Sequence, residues 1–257
     1  MPRIAVIGGS GLEGLLMGSR EIRVGTPYGP APAISVGSAG VEEVAFLPRH
    51  GRKHDSPPHK VNYRANLYAL KQIGIERILA TNAVGAINST YNPGDLAVPE
   101  DILDITKSRV TTFFDSSPVT HVDVSQPYCP ELRRALIDAA RAVEAKTWSN
   151  SIMTVTEGPR YETPAEIRML QTLGGDIVGM TGAPEVFLAR ELEICYSALC
   201  FISNRAAGQQ DKLSAVEVIE IGKRVMPEVL TVIRRAIEKI PVPRACPCAK
   251  AIEEAQV

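Results

Sequence analysis

The sequence predicts an α/β fold in one domain, and three observations carry that reading. Short apolar runs rich in β-branched residues end repeatedly in glycine-rich or small polar turns. Segments with helical spacing of apolar residues alternate with those runs. The chain has 257 residues, 45% of them hydrophobic, which is enough to bury one core without dividing.

The elements follow in order. Arg3 to Ile7 is an apolar strand that runs into GGSGL, Gly8 to Leu12. Backbone N–H groups in such a turn can approach an anion, with Ser10 adding a hydroxyl, although a purely structural turn has the same composition. The spacing matches neither the dinucleotide fingerprint nor a P-loop. Val41 to His50 is a second strand, ending in Pro48-Arg49-His50-Gly51. Arginine and histidine together at a strand end can hold a doubly charged oxyanion through charge-assisted hydrogen bonds. His50 and His54 are four apart, as on a metal-binding helix, but Gly51, Pro57 and Pro58 deny that segment a helix.

From Asn62 to Gly74 the apolar positions recur as on a helix, and the strand ERILATNAVGAI follows, its polar end running from Thr81 to Gly85. LAVPEDILDIT reads as one further strand. Thr106 to Pro130, rich in Ser, Thr and Pro and containing His121, reads as a long irregular segment, which in a compact domain is functional or an interface. A helix begins at Pro130. The run IMTV from Ile152 is then a buried strand that breaks at Gly158-Pro159 and delivers Tyr161 and Glu162 to a rim.

An aromatic face beside a carboxylate suits a flat heterocycle with a ring N–H, and it equally suits plain surface chemistry. Thr163 and Glu166 have the spacing of a capping box for the next helix, with Pro164 in its first turn. DIVGMTGAPEVFLAREL places Met180 and Thr181 between a strand and a helix, where a methionine either lies under a sugar ring or fills core. YSALCFISNRAAG is the last strand, with its polar end at Asn204. Leu213 to Lys239 reads as an amphipathic helix interrupted near Pro227, with a loose tail after Pro241.

Composition excludes several function classes. A formal charge of −1 with no basic tract argues against nucleic acid, because phosphate neutralisation needs clustered Lys and Arg. No apolar run approaches membrane-spanning length, and MPRIAVIGGSG leaves no charged-then-apolar signal layout, so a cytoplasmic location is expected. Of the five cysteines, Cys129, Cys195 and Cys200 lie in or beside apolar segments as small hydrophobes. Cys246 and Cys248 are close enough for redox chemistry, but a ring between them would be tight, and a metal there would need two more ligands. No metal site is expected.

Taken together, GGSGL, PRHGRKH, KVNYRAN, TNAVGAI, EGPRYET, GMTGAPEV and SNRA, in that order, resemble the trimeric purine nucleoside phosphorylases and the related methylthioadenosine phosphorylases. The resemblance runs from Ile4 to about Met226. It implies a mixed, twisted sheet with a partial barrel surrounded by helices, a homotrimer or a dimer of trimers, and phosphorolysis of a nucleoside with inorganic phosphate as co-substrate and no metal or organic cofactor. The phosphate site it implies is Ser10, Arg49, His50, the Asn82–Ala83 region and Thr181. Met180 would lie against the ribose, Tyr161 beside the base, and His121 in the 5′ pocket of a neighbouring subunit.

Catalysis would rest on Asn204 and Glu162, gripping the purine, and on His50 at the phosphate. The resemblance also sets the base preference. Methylthioadenosine enzymes place Ser where Glu162 stands, an acid where Asn204 stands and a second acid at Ala206; Glu with Asn is the pairing of the 6-oxopurine enzymes. Ordinary purine nucleoside phosphorylases carry a histidine at the position of Ala215, where Ala215 and Val218 here are apolar and favour a methylthio group. The expected reaction is therefore S-methyl-5′-thioinosine plus phosphate to hypoxanthine and 5-methylthioribose 1-phosphate. A general inosine/guanosine phosphorylase, a methylthioadenosine phosphorylase and a nucleoside-binding protein without catalysis are the alternatives.

Overall fold

The computed structural model describes residues 1–9, 11–53 and 55–256. In chain order the strands and helices are β1 (Ile4–Gly8), β2 (Met17–Ile22), β3 (Ile34–Ala39), β4 (Glu42–Pro48), α1 (Tyr63–Gln72), β5 (Arg77–Ala86), β6 (Leu96–Ala97), β7 (Asp101–Asp104), α2 (Pro130–Arg141), β8 (Thr147–Trp148), β9 (Ile152–Val155), α3 (Pro164–Thr172), β10 (Ile177–Gly179), α4 (Gly182–Glu191), β11 (Cys195–Arg205) and α5 (Ala215–Lys239). All the strands belong to one mixed sheet that branches at β5.

Strand β5 pairs in parallel with β1 and β11 and, at its end, antiparallel with β10. Strand β4 lies parallel to β1 on the far side, with Gly8 opposite Pro48. Strand β1 is buried and apolar along its length and β5 is buried at every residue but Ala83, because both faces of the sheet are covered. Alternation along them sorts the two cores. Ala5, Ile7, Ile78, Ala80, Tyr196 and Ala198 face a core closed by Leu67 and Leu70 of α1 and Leu188 of α4. Ile4, Val6, Leu79 and Leu199 face the other, closed by Leu132 and Leu136 of α2 and Val229 and Ile233 of α5.

Three expectations need correcting. LAVPEDILDIT is two strands, β6 and β7, because Pro99 cannot donate to a ladder and the chain changes partner from β11 to β9 there. Helix α5 runs through Pro227 without interruption. Its stripe of Val225, Val229, Val232, Ile233, Ala236 and Ile237 is buried on both sides of the proline's next turn, and that burial outweighs the lost backbone hydrogen bond. The tail after Pro241 folds back on the domain. Arg77 Nη2 donates to the Pro241 carbonyl at 2.7 Å, Arg244 Nη1 to Glu193 O at 2.8 Å, and the Ala245 N–H to Glu131 Oε1 at 2.8 Å, while Cys248 is buried. The hairpin-like β2–β3 pairing and the short β8 had no counterpart in the sequence reading, since their burial is one-sided or slight. Among the described residues no helix is long and apolar enough to cross a membrane.

Candidate active site

Five strand ends open on one cavity of about 930 Å³. Gly9 and Gly11 follow β1, Arg49 and His50 follow β4, Thr81 to Gly85 belong to β5, Met180 and Thr181 follow β10, and Ser203 and Asn204 end β11. The geometry is the one parallel sheets produce at their carboxyl edge. A Cβ on Gly8 would collide with Leu12 Cδ1 and stand 2.6 Å from the Thr81 hydroxyl, so a larger residue there displaces both side chains.

Arg49 is 2% exposed, and its position is set by a carboxylate that the sequence reading did not single out. Nε and Nη2 each donate to Glu185 at 2.7 Å, and Nη1 donates to the Thr81 carbonyl at 2.9 Å. Tyr196 donates its hydroxyl to the same carboxylate at 2.7 Å. Burial works against the guanidinium charge, but the Glu185 carboxylate more than reverses it, so Arg49 is held cationic well above its ordinary range. Three of the five N–H groups are used in this way. The fork is fixed in place with donors left over for an anion.

Next to it, His50 Nδ1 donates to the Ser56 carbonyl at 2.8 Å, which orients the ring. Thr181, 8% exposed, stands at the N-cap of α4 with its hydroxyl not used as a cap. Asn82 is 4% exposed, and both polar atoms of its side chain are buried without a partner among the described residues. A buried amide of that kind calls for a ligand or water. Ala83 turns outward from β5 at the same place.

Tyr161, Glu162, Asn204 and Ala206 line the same cavity. Thr156 donates its hydroxyl to Glu162 Oε1 at 2.5 Å, and the Thr163 capping box starts α3 directly after the glutamate, with Thr163 Oγ1 accepting from Glu166 N at 3.2 Å and Thr163 N donating to Glu166 Oε2 at 2.7 Å. Asn204 is placed by a bulge. The register between β5 and β11 shifts between Ile202 and Asn204, leaving Ser203 unpaired, and both Ser203 and Asn204 line the cavity. Ser203 Oγ sits 2.7 Å from Asn204 Oδ1, and Asn204 Nδ2 donates to the Arg205 carbonyl at 2.9 Å. The amide is thus oriented, and its second N–H remains for a ligand.

Met180 lines the cavity as well. Gly158, at φ +65°, makes room for it, since a Cβ there would meet the Met180 sulfur at 2.7 Å. The remaining wall is largely apolar, with Phe201 of β11, Leu213, and Val218, Ile219 and Met226 of α5, and Lys223 of the same helix also lines the cavity.

The structure thereby brings together Arg49, His50, Asn82, Ala83, Tyr161, Glu162, Met180, Thr181, Asn204, Ala206 and Val218. Ala215 does not join them. It is the first residue of α5, exposed at the helix start, and the next turn supplies the wall through Val218 and Ile219. Ser10 lies outside the described residues, as does His54, the other half of the His50 pair. His121 is exposed on a second cavity with Phe114, Val119, Phe187 and Glu191, away from the first. The positioning groups Thr156, Glu185 and Ser203 were missed one by one, although Glu185 and Ser203 fall in or beside the motifs GMTGAPEV and SNRA.

Residues 3–238 match the family described as the phosphorylase superfamily. The chain belongs to that family. It is 50% identical to the probable S-methyl-5′-thioinosine phosphorylase of Methanopyrus kandleri, over 100% of both chains. It is 48% identical to the 6-oxopurine nucleoside phosphorylase of Pyrococcus furiosus, over 99% of each. Among solved structures, a methylthioadenosine phosphorylase from an antarctic soil metagenomic library superposes with a TM-score of 0.95 at 34% identity, covering 100% of this chain and 92% of that one. Family membership and full-length coverage agree with a cavity that Arg49, His50, Glu162 and Asn204 all line. The protein is a phosphorylase by descent and has the cavity such an enzyme needs.

Proposed function

We propose that this enzyme cleaves 6-oxopurine nucleosides with inorganic phosphate, and that S-methyl-5′-thioinosine is its preferred substrate, giving hypoxanthine and 5-methylthioribose 1-phosphate. The observation that supports the reading is that Glu162 and Asn204 line the same cavity as Arg49, His50 and Thr181. A 6-oxopurine presents a ring N–H that a carboxylate accepts and an acceptor edge that an amide N–H reaches. Adenine presents the wrong polarity to both groups, and unpaired buried polar groups discriminate strongly.

The chemistry follows from charge. As the glycosidic bond lengthens, positive character gathers on the ribosyl carbon and negative character on the departing purine. A phosphate oxygen attacks that carbon while the bond's electron pair leaves with the base. Phosphate held by Arg49, His50, Thr181 and the Asn82–Ala83 stretch stabilises the first charge and supplies the nucleophile. The amide of Asn204, oriented by Ser203, and the carboxylate of Glu162, oriented by Thr156, stabilise the second. Met180 packs against the sugar between them, with Tyr161 beside the base. This scheme uses no organic cofactor.

Preference for the 5′-methylthio group rests on the α5 wall. Val218, Ile219 and Met226 are apolar, and His50 is the histidine among the described residues that line the cavity. An apolar pocket favours a methylthio group over a hydroxyl by about 1–3 kcal/mol, so inosine and guanosine remain secondary substrates. We assign the active assembly as a trimer in which His121 completes a neighbour's 5′ pocket, acting in purine salvage in the cytoplasm. The test is a comparison of phosphate-dependent kcat/KM for S-methyl-5′-thioinosine, inosine and S-methyl-5′-thioadenosine. The expected order is methylthioinosine, then inosine, then methylthioadenosine. An enzyme that turns over methylthioadenosine as fast as methylthioinosine does not read the base with Glu162 and Asn204.

A further inference from the structure

The sulfurs of Cys129, Cys195, Cys246 and Cys248 come from three separate parts of the chain and lie within 4.8 Å of one another. Cys129 caps the start of α2, and its N–H donates to Tyr196 O at 2.8 Å; Cys195 opens β11, and its N–H donates to Glu76 O at 2.9 Å. Those two ligand atoms are therefore carried by the rigid core. The other two belong to the folded-back tail, on either side of Pro247 at the start of a short 3-10 turn. The sequence reading found only the tail pair and two ligands missing; the fold supplies both.

We propose that these four cysteines form a structural site for a soft divalent metal ion, zinc in the first instance. Tetrahedral coordination with Zn–S bonds of ~2.3 Å places sulfurs about 3.8 Å apart. The observed set spans that value, with Cys195 and Cys246 at 3.3 Å and every separation inside 4.8 Å. Thiolate is the ligand form, and two guanidiniums stand beside the cluster. Arg190, 8% exposed, points Nη1 at Cys248 Sγ from 3.6 Å, and Arg244 stands close to Cys195. Four thiolates and one divalent ion leave a net charge of −2, and the two guanidiniums offset it as outer partners of the sulfurs. A pair of disulfides in the same place would be neutral and would leave both arginines facing uncharged sulfur. Binding releases the thiol protons to solvent, and no oxidant is needed.

The site would fasten the tail to the junction of α2 and β11. The same tail accepts the His121 N–H at the Ala255 carbonyl, at 2.8 Å, and bridges Thr120 through Gln256. The site lies apart from the cavity described above and has no part in bond cleavage.

The decisive measurement is the metal content of the intact protein, purified under reducing conditions and exchanged into metal-free buffer, by plasma mass spectrometry. About one zinc per chain is expected, as for a closed four-cysteine site. Protein stripped and reloaded with cobalt chloride should show thiolate-to-cobalt charge transfer and the visible bands of tetrahedral cobalt. Cys246→Ser with Cys248→Ser should lower zinc at least tenfold, whereas Cys200→Ala, which removes the cysteine outside the cluster, should leave it unchanged. Metal-free protein carrying four free thiols overturns the proposal, and so does intact-mass evidence of disulfides among these residues. Because wild-type metal content is measured first, a variant that fails to fold does not blunt the test.

Discussion

Arg49 owes its usefulness to a residue on the far side of the sequence. Glu185, fully buried, takes two of its N–H groups and leaves the rest for an anion, which turns a long mobile side chain into a fixed fork. Two outcomes follow. Arg49→Ala should raise the KM for phosphate about tenfold or more, ~1.4 kcal/mol, while moving the nucleoside KM far less; unchanged phosphate saturation removes the assignment. Glu185→Gln should destabilise the fold by about 3 kcal/mol, because breaking one side of a buried pair leaves the guanidinium charge uncompensated. A denaturant midpoint equal to wild type would mean the pair is not buried as described. Arg49 and His50 were legible in the sequence as an oxyanion pair. Glu185 was not, since nothing local to a Pro-Glu dipeptide says which distant cation it meets.

At the scale of elements, the segment that leads into α3 carries Glu162 and the end of β11 carries Asn204, the two residues proposed to read the base. The capping box of α3 begins the residue after Glu162, and the cap is also an electrostatic device. Arg160 hydrogen-bonds Glu166, and the Thr163 N–H adds to it, so the carboxyl is depressed from its ordinary 4.5 to about 2. A depressed carboxyl contributes stability above its unfolded value and loses it as pH falls through the folded one. Glu166→Gln should therefore be less stable than wild type at pH 7, with the difference shrinking from about pH 4.5 and gone by about pH 2. A constant difference across that range, in thermal scans at stepped pH, contradicts the assignment. The Thr163–Glu166 spacing announced this cap in the sequence because a capping box is local. The bulge at Ser203 was not announced. It exists only relative to the register of β5, and without it strand alternation would turn Ser203 and Asn204 to opposite faces.

At the scale of the whole molecule, the two ends of the chain's chemistry lie on different cavities. Glu162 and Asn204 share one with Arg49, and His121 sits on the other beside Phe187 and Glu191. If His121 serves a neighbouring subunit, mixing a His121→Ala variant with an Asn204→Asp variant, each nearly inactive alone, should restore activity in mixed assemblies. Wild-type-like sites would form where an intact His121 meets an intact Asn204. Confirmed mixed assemblies with no recovered turnover of S-methyl-5′-thioinosine would mean that His121 does not cross between subunits.

The chain's own order of residues determined the α/β class, the glycine and polar strand ends, the capping box of α3 and eleven of the residues that line the main cavity. Those signals are short-range: hydrophobic period, turn chemistry and motif spacing are all written within a dozen residues. Tertiary structure alone decided that Ala215 stands outside the cavity, that Glu185 sets Arg49, and that Pro227 is carried inside one helix. It also decided that a tail read as loose returns to place Cys246 and Cys248 against Cys129 and Cys195. Each depends on which distant surfaces the sheet brings within a few ångströms, and separation along a chain carries no measure of that distance.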